Sequence, residues 1–132
     1  MQPARLRARL WVEACLGACR AAGVFATVLA RGDADAGSVL LKWRRPDGCG
    51  GVLAPHTGLE GERVWMLATG SEAVDEPAAD AYWRRQRDRD PDLWVVEVES
   101  VALWHPLGEP IDTSAAQEDN DPRKTAEELF RR

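Results

Sequence analysis

The stretch from Gly61 to Ser100, GERVWMLATGSEAVDEPAADAYWRRQRDRDPDLWVVEVES, runs through an alternating strand, a capped arginine-rich helix and a second alternating strand with no slack between them. In Glu62 to Thr69 (ERVWMLAT), Val64, Met66 and Ala68 fall on one face, and Arg63, Trp65 and Leu67 on the other. Neither face is fully polar, so both are expected to be covered. Asp75 and Glu76 ahead of Pro77 open a helix, because carboxylates suit the positive end of the helix dipole and proline is tolerated in the first turn. Arg84, Arg85, Arg87 and Arg89 suit its negative end, and Asp90-Pro91-Asp92 stops it. Leu93 to Glu99 (LWVVEVE) is the returning strand. It places Trp94, Val96 and Val98 on one face and Leu93, Val95, Glu97 and Glu99 on the other.

Upstream, Pro3 to Ala22 reads as a helix with a wide apolar arc, stopped by Gly23. Val24 to Ala30 (VFATVLA) and Ser38 to Arg45 (SVLLKWRR) are strands joined by RGDADAG, and a hairpin is expected. Pro46 to Gly51 is the strongest turn signal, after which Val52 to Ala54 folds back as a third strand, followed by a loop from Pro55 to Gly61. The order αββββαβ predicts an α+β domain: a mostly antiparallel sheet with helices packed on it and a flexible C-terminal tail. The character changes at His105, so the expected organisation is a domain over 1–104, a flexible linker over 105–120, and a short amphipathic helical segment over 121–132. Asp121 and Pro122 suit the start of that segment, and Leu129 and Phe130 are its apolar anchors.

A chain of 132 residues suits a single core. A net charge of −5 argues against a general polyanion binder, which would carry a basic excess. Fifteen of the seventeen basic residues are arginine, which with abundant alanine points to a GC-rich coding sequence. Cys15, Cys19 and Cys49 lack disulfide-framework spacing, so reduced thiols in a cytoplasmic protein are expected. Glu13 and Arg20 interrupt any signal-peptide pattern at the N-terminus, and no apolar run is long enough to span a bilayer.

Three segments, FATVLARGDADAGSVLLK, GERVWMLATG and DPDLWVVEVES, follow one another behind the N-terminal helix. In that order they resemble a family of small uncharacterised bacterial proteins, found mainly in alphaproteobacteria and classed as a domain of unknown function. The resemblance covers about residues 5 to 100. It implies no activity, so no residue inherits a catalytic role from it.

Motifs for chemistry are sparse. Cys15, Cys19 and Cys49 with His56 or His105 lack the paired knuckles of a zinc site, so core thiols are the better reading. Asp33, Asp35 and Gly37 open like a calcium loop, but no closing glutamate follows. The glycines at 48–51 link strands and do not open a helix, so they form no phosphate cradle. No cofactor and no metal are expected. Glu97 and Glu99, with Asp92, have the outline of a metal-dependent hydrolase, but the lysine such sites need two residues on is replaced by Glu99. The arginines at 84–89, joined by Arg44 and Arg45, are candidates for phosphate contacts, with aspartates interleaved. Six tryptophans exceed what a small core needs, and aromatics beside arginine are the usual anchors of protein interfaces. The favoured reading is a non-enzymatic binding or adaptor protein, with self-association or a protein partner. Its candidate contacts are Trp65, Trp83, Arg84, Arg85, Arg87, Leu129 and Phe130.

Overall fold

A computed structural model describes residues 7–112. The elements are α1 (Ala8–Ala21), β1 (Phe25–Ala30), β2 (Val39–Arg44), β3 (Gly50–Thr57), β4 (Arg63–Leu67), α2 (Glu76–Arg89), β5 (Trp94–Glu99) and β6 (Ile111–Asp112). The fold is α+β, but a sixth strand follows the expected seven elements and the sheet is mixed. Strand order is β1-β5-β2-β3-β4-β6. β5 runs parallel to β2 and β6 parallel to β4, while the other pairs are antiparallel.

The expected β1–β2 hairpin does not form, because β5 lies between the two strands. Alternation explains why. Trp94, Val96 and Val98 pack into one core cluster and Leu93 and Val95 into a second, so β5 is apolar on both faces along most of its length. A strand of that kind is stable only in the middle of a covered sheet. The 31–37 loop is shaped to admit it. Asp33 donates its N–H to Asp92 O at 2.9 Å, Trp94 donates its N–H to Ser38 O at 2.8 Å, and Trp94 Nε1 donates to Asp33 O at 2.7 Å. What reads as a turn is a collar around the start of β5.

β3 also outruns its expectation, continuing through Pro55 and His56 to Thr57. Pro55 lies opposite Trp65, whose N–H turns away to Pro110 O at 2.9 Å. This pair exchanges no backbone hydrogen bond, so the proline's missing donor costs the β3–β4 ladder nothing.

Among the described residues the sheet carries one helix on each face. Trp11, Val12, Cys15 and Cys19 of α1 pack on Val39, Leu41, Leu53, Trp65, Trp94, Val96 and Val98. On the other face Ala79, Tyr82 and Trp83 of α2 meet Leu40, Val52 and Val95. Asp75 caps α2 by accepting from Ala78 N–H at 3.0 Å, and Gly23 takes φ 72° just after α1, as expected of both. The segment expected to begin a linker at 105 instead lies on the domain as far as Asp112. His105 is buried, and Ile111 and Asp112 pair with Trp65 and Met66. The remainder of that linker and the 121–132 segment lie outside the described residues. No described helix is long and apolar enough to cross a membrane.

Candidate functional site

Among the described residues, each face of the sheet carries a charged cluster built around one buried side chain. On the α2 face, Lys42 takes the inward position between Leu41 and Trp43 and is only 3% exposed. Its register partner on β5 is Glu97, and α2 passes above with Glu76 and Asp80 one turn apart. Lys42 Nζ donates to Asp80 Oδ1 at 2.7 Å, Glu76 Oε2 at 2.8 Å and Glu97 Oε2 at 2.8 Å. The three donors of the ammonium thus meet three carboxylates. Arg44 Nε shares Glu76 Oε2 at 2.8 Å, and its Nη1 reaches Glu99 Oε2 at 3.5 Å.

Burial works to discharge Lys42, but the hydrogen bonds it donates to Asp80, Glu76 and Glu97 overcome it and raise its pKa above the ordinary value. The same bonds hold Glu76 below the usual carboxylate range. Asp80 is lowered as well: burial opposes this, and the bonds from Lys42 and Trp83 win. A lysine held this way is a fixed cation that offers no lone pair for a nucleophile or a base.

Glu76, Arg44 and Glu99 bring the cluster to the surface at one side, and Trp83 does so at another. Asp80 Oδ1 also accepts from Trp83 Nε1 at 2.9 Å, so the half-buried indole is tied from beneath to Lys42. The Arg84 guanidinium lies 5.2 Å from the centre of the Trp83 ring, and Arg84 and Arg85 are exposed. Arg87 is used differently. Its guanidinium donates to Leu93 O, Arg31 O and Pro91 O, binding the end of α2 to the two loops that flank β5.

On the α1 face, Trp11 and Trp65 stack with centroids 5.5 Å apart. Glu109 accepts from both indoles, Trp11 Nε1 at Oε2 and Trp65 Nε1 at Oε1, each at 3.2 Å. Arg63 lies over both rings and pairs with Glu109 at 3.3 Å. His105 packs 4.8 Å from Trp65, its Nδ1 accepting from the N–H groups of Leu107 and Glu109. Its Nε2 is buried with no hydrogen-bond partner among the described residues. Burial pushes its pKa down to about 4, so the ring is neutral.

The candidate contacts therefore separate. Trp65 is 0% exposed and belongs to the core, so it presents no surface. Arg87 is a tie between loops. Trp83, Arg84 and Arg85 form one ridge, and Leu129 and Phe130 lie outside the described residues. Glu97 and Glu99 are engaged by Lys42 and Arg44, and among the described residues no group of three His, Cys, Asp or Glu side chains is placed to hold a metal. Cys15 and Cys19 are buried thiols, and burial pushes Cys15 up to about 12. The sequence reading missed Lys42 and Glu109. Lys42 had a signal, a lone cation in the apolar run VLLKW, and Glu109 had none.

Residues 6–108 match the family described as "Protein of unknown function (DUF1491)". The chain belongs to the DUF1491 family. No functionally curated protein matches it. The DUF1491 chain is similar to the crystal structure of a DUF1491 family protein from Caulobacter crescentus CB15, with 39% identity and a TM-score of 0.73, covering 82% of this chain and 100% of that one. An NMR structure of a DUF1491 family protein from the same bacterium matches at 38% identity and TM-score 0.70, covering 83% of this chain and 99% of that one. Protein Atu0922 from A. tumefaciens matches at 29% and 0.64, over 78% of this chain and 92% of that one. The DUF1491 fold thus holds across these relatives, and the alphaproteobacterial resemblance read from the three segments is confirmed.

Proposed function

We propose that this DUF1491 protein is a cytoplasmic, non-enzymatic binding or adaptor module whose α2 ridge of Trp83, Arg84 and Arg85 docks a protein partner. The observation that carries the reading is the anchoring of Trp83 through Asp80 to Lys42, with two exposed guanidinium groups beside it. Aromatic and arginine side chains dominate interface energetics when they are held in place before the partner arrives, because less freedom is lost on binding. The strongest titratable groups are already committed inside the fold, which favours binding over catalysis. A partner presenting carboxylates suits the two arginines. Segment 121–132, with Leu129 and Phe130, is a second proposed contact for a partner groove.

The nucleic-acid reading has less to draw on, since Arg44 and Arg87 face inward partners and only Arg84, Arg85 and Arg89 remain outward on or near that face. The test is a nuclease-treated pull-down from the native cell with wild type, Arg84→Glu/Arg85→Glu, and a chain ending at 112. A stoichiometric protein retained by wild type and lost from the arginine variant, at an unchanged melting temperature, is the expected result. Retention indifferent to the arginine variant removes the ridge from the account, and retention that vanishes with nuclease replaces the adaptor with a nucleic-acid binder.

A further inference from the structure

β1 forms one border of the sheet, and among the described residues its outer edge pairs with no strand. Border strands of stable monomers are blunted by lysine, proline or shortness, because a free row of N–H and C=O groups recruits other strands. β1 is not. Its six residues, FATVLA, contain no charge and no proline. Phe25 is 65% exposed and Leu29 36%. Next to Phe25, a shallow groove of about 230 Å³ is lined by Leu16, Arg20, Val24 and Ala26.

The strand's own irregularity fits pairing. Phe25 and Thr27 lie opposite Glu99 and Glu97 and so share their face of the sheet. The register then slips between Val28 and Ala30, placing the bulged Leu29 beside Ala30, opposite Val95, on that same side. Three side chains, Phe25, Thr27 and Leu29, therefore stand in a row along the border.

We propose that β1 pairs antiparallel with β1 of a second copy of this chain, about a two-fold axis at Thr27. In that register Phe25 of each copy faces Leu29 of the other, Ala26 faces Val28, and the two Thr27 residues face each other. Apolar pairs and threonine pairs are among those that stabilise an antiparallel ladder. Charge is what selects a second copy as the occupant. A strand paired with itself sets like charge against like when it carries a charge near its centre, and this one carries none. Exposed Arg20 stands beside Phe25 at one end, and exposed Asp33 and Asp35 follow the other, Asp35 being paired with Arg7 at 3.5 Å. Antiparallel pairing brings Arg20 of each copy toward the aspartates of its mate. Arg31, a second cation at that end, is drawn onto the Trp94 ring at 5.4 Å, which leaves Asp33 as the carboxylate there without a guanidinium partner among the described residues. The pairing joins the two sheets into one and leaves the Trp83 ridge on α2 uncovered, so it stands apart from the proposed partner site.

Sedimentation equilibrium on the full chain, from low to high micromolar concentration, tests the pairing. Wild type is expected to be a dimer. Phe25→Lys and Leu29→Lys each weaken it at least about tenfold, by removing the apolar pair. Phe25→Lys combined with Leu29→Glu regains dimerisation, because position 25 faces position 29 of the mate. Both side chains are exposed, so the circular dichroism and melting temperature of every variant stay close to wild type. A wild-type monomer throughout overturns the proposal, as does a dimer indifferent to both single substitutions. A double variant no tighter than the single ones overturns the two-fold at Thr27. None of these outcomes bears on the α2 ridge, whose test uses other residues.

Discussion

His105 on one side of the sheet and the Glu76–Asp80 pair on the other respond to pH in separate windows. His105 is neutral and buried, its Nδ1 already accepting two backbone N–H groups, so adding a proton at that nitrogen breaks those bonds and charges a buried ring. Its folded pKa of about 4 lies below the ordinary 6.5, so the stability tied to the neutral ring is complete above pH 6.5 and drains as pH falls toward 4. The loss is about 3 kcal/mol across that window. Urea titrations at pH 7 and pH 4.5 are expected to differ accordingly, and His105→Leu flattens the difference. Glu76 and Asp80 act lower down: with depressed pKa values, their contribution is present above the ordinary carboxylate range and lost as pH falls through their folded values. Lys42→Met leaves three carboxylates facing one another and costs about 2–3 kcal/mol at pH 7, less than for fully buried groups because the carboxylates are partly solvated. That deficit shrinks toward pH 4, where the carboxylates take up protons, and the same urea titrations measure it.

At the scale of elements, both helices and five of the strands were legible from periodicity and caps, because those signals are local. The capping of α2 by Asp75 needs only three residues to be read, and Asp75→Ala is expected to lower stability by about 1 kcal/mol in thermal unfolding. The partner of a strand is another matter. RGDADAG has the composition of a hairpin turn, and only the distant segment Asp92 to Trp94 makes it a collar. The loop's glycines record that contact: a Cβ on Gly32 or Gly37 would run into the Asp92 carbonyl oxygen and crowd the Trp94 ring. Gly32→Ala is expected to cost about 2–4 kcal/mol in chemical denaturation, far more than an alanine in a free turn. Trp65 was misjudged for the same non-local reason. Its alternation in β4 is visible, but the α1 helix and residues 105–109 that bury it come from opposite ends of the chain.

Over the whole molecule, the folded body extends past the boundary that composition suggested at 104. Proline, glycine and acidic residues between 105 and 112 read as linker, yet this stretch supplies the carboxylate for two indoles, a buried histidine and the last strand. A chain ending at 104 leaves both indole N–H groups without their acceptor and uncovers Trp65. It is expected to melt well below a chain ending at 112, with each orphaned donor costing about 1–3 kcal/mol. Differential scanning fluorimetry of the two truncations separates the outcomes. The candidate site was legible in part: the α2 ridge stands on residues that attract attention in sequence, whereas the lysine beneath them is reached only through the register of β2 with β5.

The central place of β5 also dictates an order of events during synthesis. Among the described strands β1 is made first, and the one it pairs with is β5, whose residues are translated after β2, β3, β4 and α2. Until Trp94 to Glu99 have left the ribosome, the meander of β2, β3 and β4 can close, but Phe25 to Ala30 has nothing to join. The emerging chain therefore carries an uncharged, largely apolar strand unclaimed until β5 emerges, and that interval is when a chaperone has most to protect.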